Sequence, residues 1–189
     1  MINQKGNTML ETLAALSVVT VLGIGVIKLI GGMFGAFKLN MVVNEIQEIQ
    51  KNISARYRLE GNYTGLNGKT AVQFASEQLI PSQMKIGNEI RHRQGGIVTI
   101  SVSDYGGDDE YYDVTFNSLT KRTCTNLAQI NWESKETTDL FRIKVNNSTF
   151  VLPVRGVAVG AANALPMTVA KAFSSCNKSD DNVITWTFK

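Results

Sequence analysis

One carboxylate, Glu11, stands at the head of a membrane-length apolar run, and that placement constrains the chain more than any other feature of it. A short polar leader ends in Lys5-Gly6. From Thr12 to Ile27 no residue carries a charge; Lys28 interrupts, and Leu29 to Phe37 is again uncharged. No proline occurs before Pro81, so nothing forces a break in a helix running from Thr8 to about Leu59. The 26 residues from Thr12 to Phe37 would span roughly 39 Å at about 1.5 Å each, more than a bilayer core of about 30 Å. An ionised carboxylate alone in such surroundings faces a penalty of several kcal/mol, or it protonates. Glu11 therefore calls for a compensating positive charge. Lys28, about 26 Å further along the helix, can snorkel outward while the segment is in lipid.

The pattern changes after Phe37. Val42, Val43, Ile46, Ile49, Ile53 and Tyr57 recur at steps of three and four, with Asn44, Glu45, Gln47, Glu48, Lys51 and Asn52 between them. That is an amphipathic helix with one buried face, and Gly61-Asn62 reads as its stop. Five glycines in the apolar half (Gly23, Gly25, Gly31, Gly32 and Gly35) weaken that part of the helix by roughly 1 kcal/mol each relative to alanine. The Gly31-Gly32 pair is where the helix should loosen first.

Beyond Gly61 the chain reads as α+β. Thr70 caps a short helix carrying Val72, Phe74, Ala75 and Leu79 that ends before Pro81. Ile97–Ser103 and Tyr111–Asn117 alternate as strands, with Tyr112, Val114 and Phe116 on one face. Ser118 or Thr120 starts a helix through Cys124 and Leu127 to Ile130. Leu140–Val145 and Ser148–Leu152 form a hairpin over Asn146-Asn147. Pro166 suits a first helical position, with helix following from Thr168 to Cys176. Val183–Phe188 is a final strand.

Composition narrows the function classes. Of 189 residues, 43% are hydrophobic and 19% charged, which is globular. A formal net charge of +3 is too small to imply nucleic acid. The densest basic cluster, Arg91-His92-Arg93, reads as a solvated loop or strand end. His92 is the sole histidine, so no Ser-His-Asp or Cys-His arrangement is expected, and no CxxC marks a metal site. Asp104, Asp108, Asp109, Glu110 and Asp113 offer oxygen ligands for Ca²⁺ but lack the EF-hand spacing, which favours a solvated acidic loop. The chain is read as a non-enzyme with no metal and no cofactor.

The N-terminal arrangement resembles the type IV pilin family. In that family a prepilin peptidase cuts after a glycine that follows a basic residue, and the fifth mature residue is Glu. Mapped onto this chain, cleavage falls between Gly6 and Asn7, Asn7 becomes the methylated N-terminus, and Glu11 is the fifth mature residue. Asn7 stands where most members have Phe, Met or Leu. A secretory signal would instead be cut after its apolar region at an Ala-x-Ala-like site, and Lys38-Leu39-Asn40-Met41 offers none. The order of elements, with Leu119–Cys124, Pro166–Cys176 and Val183–Lys189 in corresponding places, is similar to the type IVb branch and, in layout, to bundle-forming pilins.

The resemblance implies a type IV pilin fold, with a long N-terminal helix spine packed on an antiparallel sheet in a globular head. It divides the chain into a leader (1–6), an apolar transmembrane and assembly helix (7–37), the amphipathic half of that helix (38–60) and the head (61–189). In an exported head, the even count of Cys124 and Cys176 suggests one disulfide. The implied function is structural: a pilus subunit held in the inner membrane with Lys5 on the cytoplasmic side. It would then be processed by prepilin peptidase and polymerised by the assembly machinery into an extracellular filament for adhesion or aggregation. Its partners are copies of itself. Within the family a minor or tip pilin or a pseudopilin is the alternative; outside it, a membrane-anchored periplasmic binding module that never polymerises.

Overall fold

The last seven residues of the sheet sit at its centre. Strand β7 (Asn182–Phe188) lies between β4 (Tyr112–Leu119) and β5 (Leu140–Val145). β3 (Val98–Val102) and β6 (Ser148–Val151) form the edges, so the order is β3-β4-β7-β5-β6 and every pairing is antiparallel. This is a computed structural model, and it describes residues 38–107, 109–132, 139–152 and 163–189. The chain divides into two units, Met1–Lys38 and Leu39–Lys189, and the described residues almost all belong to the second. Gly6, Asn7, Glu11, Lys28 and the glycine-rich stretch lie outside the described residues.

The period-2 pattern sets the faces of the sheet. Register carries one apolar line across all five strands: Ile100, Val114, Trp186, Ile143 and Phe150. The neighbouring line on the opposite face is Thr99, Thr115, Thr185, Lys144 and Thr149. The first line is buried throughout; in the second, Thr115 and Thr185 share a 2.9 Å hydroxyl contact. One face therefore makes the core and the other meets solvent.

Helix α1 covers the apolar face over residues 38–57. Val42, Val43, Ile46, Ile49, Ile53 and Tyr57, the stripe expected from its period, are all buried in the same core as the sheet residues. Each large aliphatic side chain so buried contributes roughly 1.5–3 kcal/mol. The helix turns off over 58–60, and Gly61 follows with a φ of +73°, a left-handed conformation glycine adopts without strain. Polar bonds help fix the rotation of α1: the buried Tyr112 hydroxyl donates to the Gln50 carbonyl at 3.3 Å and lies 3.3 Å from the Ser54 hydroxyl, and the Gln50 amide donates to Asp139 at 3.1 Å. Burial raises the Tyr112 phenol well above its ordinary value, so it stays a donor.

Three short helices begin at threonine caps. Thr70 and Gln73 form a reciprocal capping box on α2 (Ala71–Ser76). Thr120 caps α3 (Lys121–Ala128), and Thr168 caps α4 (Val169–Ser175). Several details differ from the sequence reading. Helix α2 stops at Ser76, so Leu79 is buried from the turn beyond it, while Val72 faces solvent. Pro166 lies two residues before the α4 cap and is not a first helical residue. A two-stranded pair, β1 (Lys85–Ile86) and β2 (Glu89–Ile90), closes over Gly87-Asn88 with only two residues in each strand, too few for an alternation to register.

The face assignment makes a contrast that equilibrium unfolding can measure. Trp186→Ala should cost about 3–5 kcal/mol through the cavity it leaves. Thr99→Ala, one residue along an apolar line's neighbour, should stay within about 0.5 kcal/mol of the parent.

Candidate assembly surface

The two cysteines meet. Cys124 in α3 and Cys176, the C-cap of α4, form a disulfide with 5.9 Å between Cα atoms across 52 residues of sequence. Both are fully buried, so the bond is a core fastener rather than an exposed thiol site. In the chain-entropy model, closing a loop of that length stabilises the fold by roughly 4 kcal/mol. The bond holds α3 and α4 side by side against one end of the sheet.

Beneath them lies a polar hub that sequence reasoning missed. The buried Asn182 amide donates to the carbonyls of Leu119 and Lys178 at 3.1 and 2.7 Å. Its oxygen accepts from the Lys178 N–H and from the Asn146 amide. Asn146 in turn donates to the Ser175 carbonyl and accepts from the Val183 N–H. Only its place in the turn was legible, and its φ of +51° is one asparagine tolerates well. The hub ties the β5–β6 turn, the α4 C-terminus and the start of β7 together, so the disulfide-bonded corner is rigid.

A second knot joins α1 to the sheet through Arg91-His92-Arg93. The solvated reading of that triplet is wrong for its middle residue. His92 is 2% exposed, stacked on Phe116 with ring centroids 5.0 Å apart. Its Nε2–H donates to the Asn117 carbonyl at 2.9 Å, and Nδ1 accepts from the Gln94 N–H at 3.2 Å. Both ring nitrogens are satisfied only in the neutral form. Burial holds its pKa below the ordinary 6.5, with the Asn117 bond opposing. Gly96 closes the pocket: a methyl group there would drive into the Asn117 carbonyl and the imidazole. Arg93 reaches back to α1, where its N–H donates to Glu45 Oε2 at 3.2 Å and its guanidinium lies 3.4 Å from Oε1. Burial raises the Glu45 carboxyl above 4.5, with Arg93 opposing. A lone histidine between two arginines gives no sequence signal for burial; the aromatic partner two strands away supplies it.

The acidic residues do not converge. Asp104 pairs with Arg142, Glu110 with Lys189, Asp113 accepts from the Thr187 hydroxyl, and Asp109 accepts from the Thr64 hydroxyl. Asp108 lies outside the described residues, and among those described no three metal-binding side chains gather. An open groove of about 940 Å³ runs between the polar side of α1 (Gln47, Lys51, Ser54) and Tyr63, Glu110, Asp139 and Lys189. Its walls mix charges of both signs, amides and hydroxyls with apolar surface from residues such as Ala55 and Tyr57.

The fold bears a likeness to those of known proteins. The family model described as PilS N terminal matches residues 37–189. The chain belongs to the PilS N-terminal family. Among solved structures, TcpA, a type IV pilin from Vibrio cholerae El Tor biotype, superposes with a TM-score of 0.52 at 15% identity, covering 80% of this chain and 99% of that one. A type IVb pilin from Salmonella typhi gives 0.54 at 13% identity, covering 78% and 97%. At such identities the likeness is one of fold, and this PilS-family chain has the α+β fold of the type IV pilins. No curated protein matches it significantly in sequence. The family match excludes the leader and the Glu11 segment, so the resemblance read from those residues and the one read from the head are independent.

The His92 knot gives this family member a pH dependence of definite sign. As pH falls below 6.5, the unfolded chain takes up a proton that the folded pocket refuses, so stability falls towards the lowered folded value. Glu45 acts oppositely: with a folded value above 4.5, it costs stability as pH rises through that window. His92→Gln removes the first effect and leaves the second. Between about pH 7 and pH 5.5, the drop in melting temperature should be smaller in that variant than in the parent.

Proposed function

We propose that this chain is a structural subunit of a type IVb pilus. It is inserted in the inner membrane, cut after Gly6 by a prepilin peptidase, methylated at Asn7 and drawn by the assembly machinery into an extracellular filament of identical copies. The conjunction of two unlinked features carries the reading. The N-terminus has Lys5-Gly6, Glu11 and an uncharged run in the order pilin processing requires. The unit Leu39–Lys189, the amphipathic helix together with the head, has a pilin fold.

The mechanism follows from the cost of a carboxylate in an apolar medium. Cleavage after Gly6 creates an α-amino group at Asn7, about one helical turn from Glu11. In a packed bundle of such helices, the amine of an incoming copy can neutralise Glu11 of its neighbour, which relieves the burial penalty and sets the axial register. Helix–helix contact then replaces lipid contact along 7–37, with small residues allowing close approach. The head stays outside the bundle and presents its polar sheet face and loops for adhesion or aggregation.

Glu11→Ala should leave membrane insertion and head folding intact while abolishing filaments. Electron microscopy of the native host, with a membrane-fraction blot as control, reads both. Normal filaments from the variant would remove the role given to Glu11.

A further inference from the structure

The two long strands of the sheet, β4 and β7, carry opposite chemistry at their two ends. At one end the loop between β3 and β4 joins the close of β7. Asp104, Asp109, Glu110 and Asp113 stand there against two bases, Arg142 and Lys189, which bond Asp104 and Glu110 at 3.0 Å each. The Asp104 side chain is 91% exposed, and Tyr105 beside it is 39% exposed although its ring packs on Phe141 and Tyr111. This end is negative, with an aromatic edge showing.

At the other end β4 passes into α3 and β7 emerges from the turn after α4. Lys121, Arg122, Lys171 and Lys178 stand there against Asp180 and Asp181, with Lys178 lying 3.9 Å from Asp181. On α4, Val169 is 66% and Phe173 57% exposed, one turn apart on the same side. Lys121 Nζ sits 3.8 Å from the Phe173 ring centroid, so charge and apolar surface form one patch. This end is positive, with an apolar centre showing. The seven residues of β7 hold the two ends about 20 Å apart, so they cannot satisfy each other within one molecule.

We propose that the two ends are halves of one interface between copies of this chain. The β3–β4 loop of one copy docks on the α3–α4 surface of the next, with Tyr105 against Val169 and Phe173, and with Asp104 and Glu110 against Lys121 and Lys171. The halves differ, so the contact is head-to-tail, and such a contact propagates into a ring or an open filament instead of stopping at a dimer. Opposite charge gives register and rejects the reversed pairing, while the aromatic and aliphatic centre gives affinity. The disulfide and the Asn182 hub hold α3 and α4 in a fixed pose, which lowers the ordering cost of docking. The inference rests on the filament reading and specifies which head surfaces meet.

A cysteine pair tests it in the full-length chain in its native host. In filaments of the Tyr105→Cys, Phe173→Cys double variant, mild oxidation should produce a ladder of covalent oligomers on a non-reducing gel. Neither single variant should give one. Double-variant filaments that run as monomers would overturn this interface and leave the filament reading standing. A host that makes no filament from the unaltered chain would overturn the filament reading itself. Charge exchange decides the case in which the cysteine pair blocks assembly. Glu110→Lys or Lys171→Glu alone should cut filament yield roughly ten-fold through like-charge contact, and the two together should restore it to within about two-fold. Singles without effect, or no restoration in the double variant, would overturn the proposal.

Discussion

The burial of one apolar row beneath α1 is the interaction on which the rest of the head depends. Ile100, Val114, Trp186, Ile143 and Phe150 form that row across five strands, and the α1 stripe from Val42 to Tyr57 lies in the same core. Because β7 supplies the middle of the row, the sheet cannot close until the C-terminal strand is in place. Without it, β3–β4 and β5–β6 are separate hairpins, each marginal alone. The polar knots then lock what the row has placed. Tyr112 helps fix the rotation of α1, Arg93 and Glu45 tie its N-terminal end to the sheet, and the Asn182 hub and disulfide fasten the opposite corner.

Much of this was legible from local pattern. The α1 stripe shows a period near 3.6, the strands a period of 2, and the turn and caps stand at Asn146, Thr70, Thr120 and Thr168, where backbone chemistry asks for them. What was not legible depends on contacts distant in sequence. Nothing near Val183 says that the last strand inserts between β4 and β5. His92 looks solvated because arginines flank it, and its burial depends on Phe116 and on a glycine four residues on. Val72 fits an apolar helical stripe, but α2 is too short for that stripe to face one way. Asn182 reads as a polar strand end until Leu119 and Lys178 are brought to it.

The site residues divide along the same line. Gly6, Asn7 and Glu11 are legible only as a motif, because their meaning is the order of a basic residue, a glycine and an acid before an apolar run. Cys124 and Cys176 were legible as a pair, and the head shows what they secure: two short helices whose exposed residues make a positive, partly apolar surface. The head is thus polar on its open sheet face and oppositely charged at its two ends, a distribution suited to ordered contact with copies of itself. In the filament we propose, burying the apolar N-terminal segment among identical helices would provide the main driving force, Glu11 would set the axial register and the head contacts would reinforce it.

Lys5-Gly6 and Glu11 stand before an apolar run in the same molecule as a pilin-fold head, and the intact mass and N-terminal sequence of the protein purified from its native host test most directly whether it is processed as a pilin. A chain that begins at Asn7 and carries one added methyl group is the predicted result. A chain that still begins at Met1, from a host with an active prepilin peptidase, would contradict it and leave Glu11 without a partner.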